Sequence, residues 1–342
     1  MSKRITVLEF GGTIAMAPNA MGALAPAKSL RDVFASESEL SQMANITLEQ
    51  LRNEDSTNIH PADWIELAKR ITEVTPHSDA IIITHGTDTM AYTAGALSLA
   101  LGRGLNIPVI LTGSQRSMME YGSDARINLE HAVETALKAA EMDIAEVMIV
   151  FGHRVLRGNR AVKVSEARFL AFDSPAYPDI ANLTAGGVSF MPGVMRANPS
   201  VKFKLAADFK TNILSIDPTP GLDPQILMKI LRSGDCAGLI LRAHGTGNVP
   251  SEGNYSLIPV IEEATHKLGI PVLITTKFLG GSTQLDSYEP GQLAHAAGAI
   301  PTGDLTDIMV QVKLMWALAQ GHTSPIKLSE IINTNLVGEI TT

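Results

Sequence analysis

Three short stretches of this sequence set hydroxyl, carboxylate and amine groups just past apolar runs. IITHGTDTMAY, residues 82–92, follows its isoleucines with Thr87, Asp88 and Thr89. EFGGT ends in Thr13, and RAVKV carries Lys163 a short loop beyond another apolar run. Each stretch has an ordinary reading. Gly-Gly-Thr after a strand makes a tight turn, because glycine reaches positive φ. Thr and Asp side chains accept from the free N–H groups of a helix start, so GTDT could simply cap the next helix. A single lysine is most often a solvated surface group. Two threonines, an acid and a lysine at one edge of a sheet form a different combination. A threonine hydroxyl is weak at neutral pH, and a base beside it makes nucleophilic catalysis feasible.

The elements that would position these groups are legible as six apolar runs ending abruptly in glycine or polar residues: ITVLEFGGT, AIIITHGTD, PVILTGSQR, VMIVFGHRV, GLILRAHGTGN and PVLITTKFLGG. Continuous hydrophobicity suits strands buried on both faces, as in a parallel sheet. Helical periodicity lies between them. ADWIELAKRITEV puts Trp64, Leu67, Ala68 and Ile71 on one face. DARINLEHAVETALKAA does the same with Ile127, Ala132, Val133 and Leu137, with Asp124 as N-cap. The alternation implies an α/β layered fold. Ligands of open parallel sheets bind beyond the carboxyl ends of the strands, where all six polar clusters lie. From about 188 to 224 the chain is rich in Pro and Asn without a sustained period. This predicts a larger N-terminal α/β domain over 1–190, a linker over 191–212 and a smaller α/β domain over 213–342.

Composition narrows the function classes. The 342 residues are 45% hydrophobic and 18% charged, which supports a well-formed core. The net charge is -8 and the basic residues are scattered, so neither nucleic acid nor a membrane surface is an expected partner. No apolar run reaches membrane-spanning length. MSKRITVLEFGG lacks the long apolar core of a signal peptide and reads as the first strand. Cys236 is the only cysteine, so no internal disulfide can form. A cytoplasmic setting is expected.

The motifs together resemble the bacterial-type L-asparaginase family, over nearly the whole chain. GGTIAM is similar to the family's first signature, around its first catalytic threonine, and THGTDTM to its second. Asp55-Ser56-Thr57, followed by Trp64, resembles the loop that binds the substrate carboxylate. TGSQRSMMEYGSDARINL, GTGNVP and GDLT…VKLMWALA also fit, the last being closer to the cytosolic branch. The resemblance implies a left-handed crossover in the larger parallel-sheet domain and a Rossmann-like smaller domain. It also implies homodimers or homotetramers with the active site at a subunit interface, so that a lone monomer is inactive.

The implied reaction is hydrolysis of the side-chain amide of L-asparagine to L-aspartate and ammonia. Thr13 is the implied nucleophile. Thr87, Asp88 and Lys163 form the second catalytic set, with Thr87 either attacking directly or positioning the hydrolytic water. Backbone N–H groups around Gly86 and Thr87 and at Ser114 are oxyanion-hole candidates. Asp88 would take the substrate α-ammonium, and Ser56 and Thr57 its α-carboxylate. Asn248 and Asp286 match positions that the family's neighbouring subunit contributes. No cofactor or metal is expected.

One departure stands out. The family's loop after the first threonine carries a tyrosine, whereas AMAPNAMGALAP has none, and Ala23 or Met21 stands in its place. Tyr121 and Tyr177 are available to that role, but lone aromatics of this kind are expected to be packing residues. Phe10 replaces a threonine that often precedes the glycines. The gap favours, as alternatives, an amino-acid-binding protein with little turnover, or an amidase or glutaminase for a related amide. His85, His153 and His244 each follow a strand and could ligate a metal in a hydrolase, although no HxH or HExxH spacing supports it. Amidotransferase relatives carry an extra N-terminal domain, and here the first strand is expected almost at once. GTGN lacks the third glycine of a dinucleotide fingerprint, and no phosphate-loop lysine follows.

Overall fold

A computed structural model describes residues 2–18, 21, 24–26 and 43–341. The chain divides into two units, Met1–Ala207 and Asp208–Thr342. In chain order, the first holds β1 (Arg4–Phe10), β2 (Met16–Pro18), β3 (Leu24–Pro26), β4 (Asn45–Arg52), β5 (Ala80–Thr84), β6 (Val109–Thr112), β7 (Val147–Phe151), β8 (Arg154–Arg157), β9 (Val162–Lys163), β10 (Phe172–Asp173), β11 (Ala181–Thr184) and β12 (Gly187–Phe190). Its α-helices among the described residues are α1 (Pro61–Val74), α2 (Met90–Leu101) and α3 (Ala125–Glu141).

The main sheet runs in the order β12-β11-β8-β7-β6-β5-β1-β4. The five strands from β7 to β4 are parallel, with Val7 of β1 registered against Leu48 on one side and Ile82 on the other. Their interior runs are buried on both faces, which explains the continuous apolar segments of the sequence. The sheet departs from all-parallel at the opposite edge. Only Gly152 and His153 separate β7 from β8, too short a link for a crossover, so β8, β11 and β12 pair antiparallel. β4 was not among the six expected runs, because it is an edge strand with alternating half-exposed residues, NITLEQLR.

α1 begins with Pro61 at its first position and a reciprocal cap between His60 and Asp63, and it buries Trp64, Leu67, Ala68 and Ile71 as its period predicts. α3 buries a different stripe from the expected one. Ala125, Leu129, Ala132, Val133 and Ala136 face the core, Ile127 is exposed and Leu137 is half-buried. The small alanines allow close approach to the sheet, and that sets the rotation of the helix. α2 is apolar all round and every residue but Tyr92 is buried, so it is packed on all sides.

The second unit has a four-stranded parallel sheet in the order β13 (Ile213–Ile216), β14 (Gly238–Ala243), β15 (Val272–Thr276), β16 (Ile300–Pro301). Its helices are α4 (Pro224–Arg232), α5 (Ile258–Glu262), α6 (Glu289–Ala296), α7 (Asp307–Ala319) and α8 (Pro325–Asn333). Within the expected linker, the Met195 N–H donates to the Glu146 carboxylate, and those of Ala197 and Ala206 donate to the Asp143 and Ala100 carbonyls. That aperiodic stretch therefore follows a defined path over the first unit.

Candidate active site

Four neighbouring parallel strands, β4, β1, β5 and β6, end on the same edge, and the loops that follow them touch. Gly11 and Gly12 both have φ of +98°, a region that disfavours side chains. A Cβ on Gly11 would lie 2.3 Å from the Glu54 carbonyl oxygen, and one on Gly12 would lie 2.5 Å from the Gly86 nitrogen. Gly86 in turn abuts Ser56, and Gly113 abuts the His85 carbonyl. Gly12 also donates its N–H to the Glu54 carbonyl at 3.2 Å. These contacts bring Gly12, Ser56 and Gly86, and with them the loops that carry Thr13 and Thr87, to one edge of the sheet.

Thr87, Asp88 and Lys163 form one hydrogen-bonded set. Lys163 Nζ donates to Thr87 Oγ1 at 2.8 Å and to an Asp88 carboxylate oxygen at 2.6 Å. Lys163 reaches them from the short β9–β10 hairpin and is largely buried, while Asp88 remains half-exposed. This excludes the capping reading of GTDT. Thr89 occupies the N-cap position of α2, but its hydroxyl donates to the Ser56 carbonyl at 2.8 Å, and Thr87 and Asp88 turn to the lysine. The Thr89 side chain does not cap the helix, whose N-terminal end brings partial positive charge to this edge.

Backbone donors are also available. The N–H groups of Thr87 and Ser114 have no hydrogen-bond partner among the described residues, although both residues are buried. Buried unpaired N–H groups are rare, and at a cleft they suit an oxyanion. The Ser114 hydroxyl is turned away and donates to the Arg116 carbonyl at 2.6 Å.

The binding residues behave unequally. Ser56 is buried against Gly86. Thr57 is exposed, and both its N–H and its hydroxyl are given to Asp55 at 2.8 Å, so its hydroxyl is committed to the local turn. Asn248 and Asp286 belong to the second unit. There the loop after β14 and the loop after β15 meet, with the Gln284 N–H donating to the Thr246 carbonyl at 2.9 Å. The Asp286 carboxylate is exposed, 3.2 Å from His295 Nδ1.

Ala23 lies outside the described residues. Met21 is exposed, Tyr121 is fully exposed, and Tyr177 stacks under the guanidinium groups of Arg157 and Arg160, 4.6 and 5.1 Å from the ring centre. Tyr177 is thus a packing residue. No side-chain hydrogen bond reaches Thr13 among the described residues. His85 is fully buried with both ring nitrogens bonded, to the Gly86 carbonyl at 2.7 Å and to Thr93 Oγ1 at 2.9 Å. His244 contacts the Pro218 carbonyl at 3.1 Å within the second unit, and His153 is exposed. Among the described residues no cluster of three or more His, Cys, Asp or Glu side chains could hold a metal.

Of two further contributors, Gln115 was not singled out from sequence and Asp124 was expected only as a helix cap. Gln115, inside TGSQR, accepts from Thr87 Oγ1 at 3.4 Å while its amide donates to the Ser165 and Arg168 carbonyls beyond Lys163. Asp124 stands at the N-cap position of α3, but its carboxylate caps nothing there. It accepts from the N–H groups of Gln115 and Arg116 and from Asn128 Nδ2, and so braces the loop after β6.

Residues 4–194 match the family described as asparaginase, N-terminal, and residues 212–331 match the glutaminase/asparaginase C-terminal domain. The chain is 38% identical to an L-asparaginase of Thermococcus kodakarensis over 99% of both chains. It is 32% identical to a glutamyl-tRNA(Gln) amidotransferase component of Methanothermobacter thermautotrophicus, over 98% of this chain and 76% of that one. The structure of the thermostable L-asparaginase from Thermococcus kodakarensis matches with a TM-score of 0.88 at 34% identity, covering 99% of each chain. L-asparaginase I from Vibrio cholerae O1 biovar eltor matches with a TM-score of 0.89 at 30% identity over the whole of both. The chain belongs to the asparaginase family.

Proposed function

We propose that this protein is an L-asparaginase that hydrolyses the side-chain amide of L-asparagine to L-aspartate and ammonia. The observation that carries the reading is the Thr87–Lys163–Asp88 set, bonded at 2.8 and 2.6 Å beside the glycine-held Thr13. Thr13 Oγ1 attacks the amide carbon, its hydroxyl proton is passed to the amide nitrogen as the C–N bond breaks, and ammonia leaves an acyl-enzyme ester on Thr13. Water held by Thr87 then attacks the ester carbonyl, its proton passes through the Thr87–Lys163–Asp88 set to Thr13 Oγ1 as the C–O bond breaks, and L-aspartate leaves with the threonine hydroxyl restored. The Thr87 and Ser114 N–H groups hold the oxyanion, each contributing about 3 kcal/mol.

Asp88 also takes the substrate α-ammonium, and Ser56 with the N–H groups around it takes the α-carboxylate. Gripping both ends of the amino acid orients its amide on Thr13. The protein works in the cytoplasm as a homodimer or homotetramer, with Asn248 and Asp286 of one protomer completing the site of another. No helix among the described residues is long and apolar enough to cross a membrane.

The test is ammonia release from L-asparagine, D-asparagine and L-glutamine by wild type, Thr13→Ala and Thr87→Ala. Turnover of L-asparagine lost in both variants is the expected result. Binding without turnover by a folded oligomer would overturn it in favour of an amino-acid-binding protein, the reading that the missing loop tyrosine favours.

A further inference from the structure

We propose that His85 is a positioning residue, which through its Nδ1–H holds the Gly86–Thr87 peptide so that the Thr87 N–H faces the reacting carbonyl oxygen. A buried chain of hydrogen bonds supports it. The Trp64 indole N–H donates to Thr93 Oγ1 at 3.1 Å, and Thr93 Oγ1 lies 2.9 Å from His85 Nε2. His85 Nδ1 lies 2.7 Å from the Gly86 carbonyl oxygen. Their chemistry sets the directions. A carbonyl only accepts, so Nδ1 carries the proton. Nε2 is then the acceptor, filled by the Thr93 hydroxyl, whose oxygen receives the indole N–H. Only the neutral imidazole with its proton on Nδ1 satisfies every member.

The consequence follows from peptide geometry. No cis peptide occurs among the described residues, so the C=O and N–H of the Gly86–Thr87 unit point in opposite directions. Drawing the Gly86 carbonyl onto His85 turns the Thr87 N–H to the other side, where it has no partner among the described residues. A glycine at 86 would otherwise let this peptide rotate easily. The ring itself is held by Phe10, whose ring centre lies 5.7 Å from that of His85 at an angle of 28°. Phe10 therefore does more than fill space: it sets the plane from which Nδ1 donates. Burial also lowers the His85 pKa to about 4, so the ring stays neutral at physiological pH.

This inference rests on the asparaginase reading for its catalytic consequence, and the experiment separates the two. His85→Asn keeps an N–H donor one bond from Cγ, where the imidazole Nδ1 sits, whereas His85→Leu keeps volume without a donor. The measurements are kcat and KM for L-asparagine, Kd for L-aspartate by calorimetry, and crystal structures of both variants. His85→Leu is expected to lose about 100-fold in kcat with the L-aspartate Kd little changed, as removal of one oxyanion donor does. His85→Asn is expected to retain most of kcat. The Gly86 carbonyl should rotate away in the leucine variant only.

A leucine variant as active as the asparagine variant, or a Gly86 carbonyl unmoved in it, overturns the proposal. Should His85→Leu not fold, Thr93→Val frees Nε2 at little change in shape. It is expected to lower kcat about tenfold without altering KM, and an unchanged kcat overturns the proposal. If wild type hydrolyses no amide, the asparaginase reading falls, and the two crystal structures still decide the peptide orientation.

Discussion

The two threonines of this cleft are held in opposite ways. Thr87 sits in a web of polar bonds, from Lys163, to Gln115, and through the Gly86 peptide to the His85 chain. Among the described residues Thr13 is placed by backbone alone, on two left-handed glycines wedged against Glu54 and Gly86. Side-chain webs resist small perturbations because each bond is backed by others, whereas steric placement by glycine fails sharply once a Cβ is added. One half of the site is therefore tuned by chemistry and the other by the absence of it.

The contrast can be broken first at the reacting groups. Thr13→Ala, Thr87→Ala and Lys163→Met are each expected to lower kcat by about 10³-fold or more, with thermal unfolding little changed. Steady-state ammonia release together with calorimetry checks this. Next come the glycines. Gly12→Ala forces a side chain into a left-handed backbone 2.5 Å from Gly86. It should cost about 2–4 kcal/mol in denaturant unfolding and abolish turnover, while Gly102→Ala, where nothing lies within 4 Å, should retain full activity despite its positive φ.

His85 then separates the halves by pH. Its folded pKa of about 4 lies below the ordinary 6.5 of an unfolded histidine, so the unfolded chain binds the extra proton first. The contribution is complete above pH 6.5 and is lost progressively as pH falls toward 4, to a total of about 3 kcal/mol. Urea titrations from pH 7 to pH 4 should therefore show a steeper loss in wild type than in His85→Phe. Asp124→Ala should cost about 2 kcal/mol, because it strips the brace from the Gln115 and Arg116 N–H groups, and it should raise the B-factors of that loop in a crystal structure. The smallest effect belongs to Thr89→Val, which removes one bond to the Ser56 carbonyl. It is expected to cost about 1 kcal/mol and to raise KM more than it lowers kcat.

Much of this was readable in the chain. Six apolar runs ending in glycine or polar groups became six parallel strands, since burial on both faces demands unbroken hydrophobicity. The partly exposed edge strand β4 escaped because its alternation resembles an ordinary polar segment, and with it went the reason Ser56 lies in the cleft. The α3 stripe was misplaced by favouring the large Ile127 over small alanines, which pack closer to a sheet. Asp124 was read as a helix cap because local propensity describes only neighbours in sequence. Its true partners, at 115 and 116, come from the preceding loop.

The sequence by itself determined the α/β class, the strand ends where chemistry could gather and, through its motifs, the candidates Thr13, Thr87, Asp88 and Lys163. Those depend on composition and spacing along the chain. Only the tertiary structure decided that Lys163 bonds both Thr87 and Asp88, that Thr57 is spent on its own turn, and that the buried His85 bonds the Gly86 carbonyl. Each of these turns on distances of a few tenths of an ångström, and the lysine meets its partners from far along the chain. Hydrogen-bond direction and burial exist only once the strands are packed.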